Sequence, residues 1–110
     1  MVVSAAALLA AGCFPEGPSS GSTSPHHDDP FLTCVRQNES GGNYQVDSAD
    51  GQFHGAYQFS QGTWDATASH VGRDDLVGVD AHTTASPTQD DMAWALYQWQ
   101  GTAPWAGSGC

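Results

Sequence analysis

Two cysteines bracket nearly everything in this chain that could form a core. Cys34 and the final residue, Cys110, enclose all four Trp and all three Tyr of a 110-residue sequence. The stretch from Phe14 to Asp29 is mostly Pro, Gly, Ser, Thr, His and Asp and offers almost nothing to bury. Such a segment cannot offset its own ordering entropy, so residues 13–29 are expected to be a flexible linker. That leaves residues 30–110, enough for one small domain and no more. In an exported protein Cys34 and Cys110 are natural disulfide partners, and closing so long a loop would contribute roughly 4 kcal/mol. His26-His27-Asp28-Asp29 reads as the solvated end of the linker, because adjacent positions in a flexible tract fix no metal geometry.

Export is expected from the first residues. Val2 to Ala11 is small and apolar apart from Ser4, and it runs on into Gly12-Cys13. Residues 1–12 therefore read as a signal peptide. Leu9-Ala10-Ala11-Gly12-Cys13 also resembles the lipobox of bacterial lipoproteins, which implies a lipidated Cys13 at the mature N-terminus. An ordinary signal peptide with an incidental cysteine is the alternative. The expected location is outside the cell or on its envelope, with membrane contact only through that anchor.

Charge excludes several partners. Lys and Arg together number two, Arg36 and Arg73, against twelve acidic residues, for a formal net charge of −10. Nucleic acid needs clustered basic side chains, and so does a polybasic membrane surface. No run of eighteen apolar residues exists to span a bilayer. A monomer without cofactor is expected.

Local signals place the elements. Asp29-Pro30 is a helix start, with Asp as the cap and Pro at the first position. Phe31, Leu32 and Val35 follow at helical spacing, and Gly41-Gly42 should end that helix. Asp50-Gly51 signals a small β-hairpin within residues 43–59. Ser60 opens a second helix that ends near Val71-Gly72. Residues 73–85 read as loop with a short turn of helix. Ser86-Pro87-Thr88-Gln89 reads as a capping box for a last helix, whose apolar face is Met92, Ala95, Leu96 and Trp99 and whose end is Gly101. The tail, 102–110, reads as irregular. The fold class is α+β, mainly helical, with one short hairpin.

Between Pro30 and Cys110 the only glutamate is Glu39, at the end of the first helix. Burial against aromatic neighbours would raise its pKa and keep it protonated, which is what delivering a proton to a glycosidic oxygen requires. A solvent-facing acid at a helix end is the competing reading of the spacing alone. Asp47 and Asp50 are the nearby candidates for a second carboxylate. Asp50 is explained by its turn, while Asp47 could face a cleft or cap the turn. His54, His70 and His82 do not form a spaced ligand set, and no metal is expected. Tyr44, Phe53 and Tyr57 could stack on sugar faces or serve the core.

Three blocks tip the balance: Glu39-Ser40-Gly41-Gly42-Asn43-Tyr44, Gly55-Ala56-Tyr57-Gln58-Phe59-Ser60 and Thr63-Trp64-Asp65. In this order and spacing they resemble the transglycosylase-like domain of resuscitation-promoting factors, actinobacterial members of the lysozyme superfamily that cleave peptidoglycan glycan strands. The resemblance covers roughly residues 30–110 and implies a small lysozyme-like fold. By position it implies Glu39 as the catalytic acid, Gln58 lining the sugar cleft across from it, and Trp64 in the core. Pro104-Trp105 and Cys110 match the family's end. Cys34 lies five residues before Glu39 where many members have it adjacent, Tyr44 replaces the usual Trp, and residues 73–85 look inserted. Related lytic transglycosylases need no second carboxylate, and that single-acid scheme is the one expected. A non-catalytic peptidoglycan-binding or signalling module on the same scaffold is the other class of function, although such a module has no need of Glu39.

Overall fold

The computed structural model describes residues 23–110; the signal segment, Cys13 and the first part of the linker lie outside the described residues. Helix α1 (Pro30–Ser40) begins where Asp29 accepts a hydrogen bond from the Leu32 amide, with Pro30 at its first position. It ends where the Gly41 and Gly42 amides close onto the Gln37 and Arg36 carbonyls. Both glycines sit at positive φ, a conformation that a Cβ disfavours.

The hairpin follows, but its turn is displaced from the expected place. Asp50-Gly51 does reverse the chain, yet it pairs Asp47 with His54 only as an isolated bridge. The regular ladder joins β1 (Phe53–His54) to β2 (Phe59–Ser60), and the turn between them is Gly55 to Gln58. Helix α2 (Gln61–His70) starts on Ser60, whose hydroxyl accepts from the Thr63 amide. Two 3-10 turns, Asp74–Leu76 and Ala81–Thr83, lead to α3 (Ser86–Gln100).

The capping box at the start of α3 does not form. Ala85 is the cap and makes no side-chain bond. Gln89 is buried instead, accepting from the Ala56 amide and donating to the Tyr44 and Thr84 carbonyls. Satisfying one buried and two part-buried backbone groups outweighs one exposed helix end. The face of α3 that packs inward is Gln89, Met92, Ala93 and Leu96, while Trp99 is 40% exposed and stacks on His70.

The core joins Leu32 and Val35 of α1, Tyr57 and Phe59 of the hairpin, Trp64 of α2, and Met92 and Leu96 of α3. Trp105 completes it from the tail, which is a kinked 3-10 segment (Ala103–Ser108) rather than irregular chain. Its indole donates to the Tyr57 carbonyl, and its ring meets Phe31 and Phe59 edge-on. The tail is held to α1 by the Cys34–Cys110 disulfide, Cα atoms 6.0 Å apart, and by Asn38, which donates to the Ser108 carbonyl. The result is the mainly helical α+β arrangement with one two-stranded hairpin of a small lysozyme-like fold.

Order begins earlier than Asp29-Pro30. Ser24 is buried and bonds Asp91, His26 stacks on Trp94, and His27 reaches Asp90. Residues 24–29 thus pack on α3 instead of ending a linker, because two histidine rings find an aromatic face and a carboxylate there.

Gly55 gives a test of this packing. A Cβ there would lie 2.4 Å from Gln89 Oε1, and Gln89 cannot yield without orphaning buried backbone groups; φ is +79° besides. Gly55→Ala is expected to cost about 2–4 kcal/mol by chemical denaturation. Gly51→Ala, also at positive φ but in open space, should cost only about 1 kcal/mol. Equal losses would show that Gln89 does not hold the turn.

Candidate active site

Glu39 occupies the last turn of α1 and is half-buried. Burial raises its pKa above its ordinary value, and among the described residues no cation or hydrogen-bond donor pulls it back. The reason lies one turn earlier. Arg36, at the spacing that would pair with Glu39 on a helix surface, is 6% exposed and points inward. Its guanidinium donates to the Tyr57 hydroxyl (2.8 Å) and lies 3.6 Å from Asp90.

Asp90 is the hub that holds Arg36 away. It is 1% exposed and accepts from the hydroxyls of Tyr57 (2.6 Å) and Tyr44 (2.7 Å) on one oxygen, with His27 Nδ1 2.9 Å from the other. Burial first, and the bonds to Asp90 next, raise both phenols far above the ordinary tyrosine value, so they remain neutral donors. This network corrects two expectations. Tyr57 is fully buried and offers no face to a sugar. Tyr44 is half-buried, with its hydroxyl committed to Asp90 and its ring edge-on to Tyr57. Phe53, 41% exposed, is the aromatic residue of the hairpin left facing solvent.

The turn carrying Gln58 docks directly on the end of α1. Ser40 Oγ donates to the Ala56 carbonyl at 2.8 Å, and Arg36 holds the neighbouring Tyr57. Gln58 adopts φ +54°, stabilised by its own Nε2 donating to the Gly55 carbonyl at 2.9 Å. Its side chain lines a hollow with Phe53, Leu96, Gln100, Pro104 and Trp105; Glu39 is not part of that lining. The left-handed Gln is a backbone feature that residue type alone does not announce, since glycine is the usual occupant.

Neither candidate second carboxylate stands ready as a base. Asp50 accepts from Ser48 Oγ and the Gln52 amide, and these bonds hold its pKa low. Asp47 bonds His54 Nδ1 at 2.7 Å, and His82 Nδ1 lies 2.9 Å from the same oxygen. His54 and His82, expected to be unrelated, are therefore gathered with Asp47 into a cluster of metal-ligating atoms.

A comparison with protein families now bears on this geometry: the family model of the transglycosylase-like domain matches residues 27–108. The chain belongs to the transglycosylase-like domain family. No curated protein and no solved structure matches it. The match begins at His27, inside the segment that packs on α3. A transglycosylase-like domain implies peptidoglycan as substrate and a glycosidase that cleaves it as the class of enzyme. In this transglycosylase-like domain the Glu39 end of α1 and the Gln58 turn form one docked unit, held from beneath by Arg36, Tyr57 and Asp90.

Proposed function

We propose that this chain is an exported enzyme that cleaves the glycan strands of peptidoglycan with Glu39 as its general acid, in the manner of resuscitation-promoting factors. The observation that carries this is the state of Glu39: a half-buried carboxyl, raised in pKa, with Arg36 drawn away into the core. Such an acid keeps its proton to higher pH than an exposed carboxyl does and can give it to the oxygen leaving the scissile bond. The engagement of Asp47 and Asp50 in local bonds supports a single-acid scheme. In that scheme the sugar's own N-acetyl group and 6-hydroxyl assist, and the product is a 1,6-anhydro sugar. The scarcity of exposed cations suits a neutral glycan ligand, since Arg73 is the remaining arginine and pairs with Asp75. A zymogram on purified peptidoglycan tests the reading. Clearing by the wild type and none by Glu39→Gln is expected; equal clearing by both, or none by either, overturns it.

Gln58 has an orienting part in this scheme. Its Nε2 is spent on the turn, which leaves Oε1 to accept from a sugar hydroxyl or from the N-acetyl N–H near the scissile bond. A misplaced leaving oxygen is protonated slowly even when binding survives. Gln58→Ala is expected to lower turnover by roughly 10–100-fold, read as soluble product released from peptidoglycan. Loss of one turn bond should cost only about 1 kcal/mol of stability. Unchanged turnover would remove Gln58 from the site.

Anchoring rests on the sequence ahead of Cys13. The mature chain is expected to begin at Cys13 and carry lipid, giving an intact mass above that of the bare polypeptide. An unmodified chain cleaved elsewhere would leave plain secretion.

A further inference from the structure

The hairpin and the loop before α3 meet at three side chains that the cleavage chemistry does not use. Asp47 faces His54 across the Asp50-Gly51 turn, and His82 comes from the 3-10 turn Ala81–Thr83. The two imidazoles stack with centroids 5.2 Å apart and 24° between planes. Both present Nδ1 to the same Asp47 oxygen, at 2.7 and 2.9 Å, and one ligand atom from each residue lies within 4.8 Å of the others. His54 makes a well-formed hydrogen bond there. His82 Nδ1 is buried and makes none, despite its nearness to the carboxylate.

A buried imidazole nitrogen 2.9 Å from an anionic oxygen yet making no hydrogen bond calls for an explanation. The geometry points to a divalent transition-metal site, Zn²⁺ by chemistry, with His54 Nδ1, His82 Nδ1 and an Asp47 oxygen as its three protein ligands. Two imidazoles and one carboxylate suit Zn²⁺, whereas Mg²⁺ and Ca²⁺ require oxygen ligands. Bonds of about 2.0–2.1 Å in tetrahedral array put neighbouring ligand atoms roughly 3.3 Å apart. Each imidazole nitrogen, now 2.7 and 2.9 Å from the Asp47 oxygen, needs to move only about half an ångström from it to reach this. Asp47 is 41% exposed on its side chain, which leaves an approach for the ion and a fourth position for water. The ion would tie the base of the hairpin to the loop before α3, a structural clip that stands whether or not Glu39 is catalytic.

Metal-stripped full-length chain titrated with Zn²⁺ by calorimetry tests this. One ion per chain with micromolar or tighter affinity is expected, together with a Zn²⁺-dependent rise in melting temperature that Mg²⁺ does not reproduce. His82→Ala should weaken binding by at least the ~10–100-fold that loss of even an outer-shell partner costs. His70→Ala, which alters a histidine outside the cluster, should bind as the wild type does. Absence of micromolar binding, or binding that survives His82→Ala, overturns the site. If His82→Ala fails to fold, the imidazole ¹⁵N resonances of the wild type decide: Zn²⁺ must shift those of His54 and His82, and a shift confined to His26, His27 or His70 refutes the assignment.

Discussion

Glu39→Gln is expected to lower the rate of peptidoglycan cleavage on the order of 10³-fold, because a positioned general acid contributes about 10²–10⁴. Glutamine keeps the shape of the side chain and has no proton to give. Since burial holds the Glu39 pKa above its ordinary value, wild-type activity should persist to higher pH than an exposed carboxyl would allow, then fall as the group ionises. The stability consequence has a definite sign. A carboxyl whose pKa is raised by folding favours the fold fully below its unfolded pKa, and that contribution is lost as pH rises through the folded value. Once ionised, above its folded pKa, the half-buried Glu39 is therefore a burden, and there Glu39→Gln should melt at or above the wild-type temperature while losing activity. A variant that loses both would indicate a structural role. Thermal melts beside initial rates across pH separate the two.

The second large effect is expected at Asp90. Asp90→Asn leaves the Arg36 guanidinium buried without its counter-charge and replaces with an amide NH2 one of the two oxygens that serve the Tyr57 and Tyr44 hydroxyls on one side and His27 on the other. Removing one partner of a buried pair costs about 3–5 kcal/mol. For a domain of this size that lowers the melting temperature on the order of 15 °C or more. Asp91→Asn, on the exposed neighbour, should lose far less, since it gives up only its bond to Ser24. A small loss at Asp90 would mean that Arg36 finds another partner. Glu39, one turn along α1, is the nearest candidate on the helix surface, and the pH profile of cleavage would then shift toward acid.

Much of the helical outline is visible in stretches of three or four residues. Asp29-Pro30, Gly41-Gly42, Ser60 and Gly101 start or stop helices where the structure has them, because a cap satisfies backbone groups within one turn of itself. The Cys34–Cys110 link was legible from the cysteine count and the small domain it encloses. Glu39 stood out because it is the sole glutamate of the folded part, and the Gly41-Gly42 stop that follows it places it at a helix end.

Other features depend on which segments meet. Gln89 carries the residue type of a capping box, yet it is drawn to the backbone of residues 44, 56 and 84, partners that no local window contains. Tyr57 and Phe53 look alike as hairpin aromatics; only the arrival of Arg36, Asp90 and Trp105 buries the first and leaves the second to solvent. His54 and His82 have no sequence spacing in common with a ligand set, and they meet because the 81–83 turn folds back over the hairpin. The sequence by itself determined where the main helices begin and end and singled out Glu39 as the candidate acid, since capping and residue chemistry act over a few bonds. The tertiary structure alone decided which polar groups are buried together, because desolvation and pairing depend on neighbours that the chain brings in from far along its length.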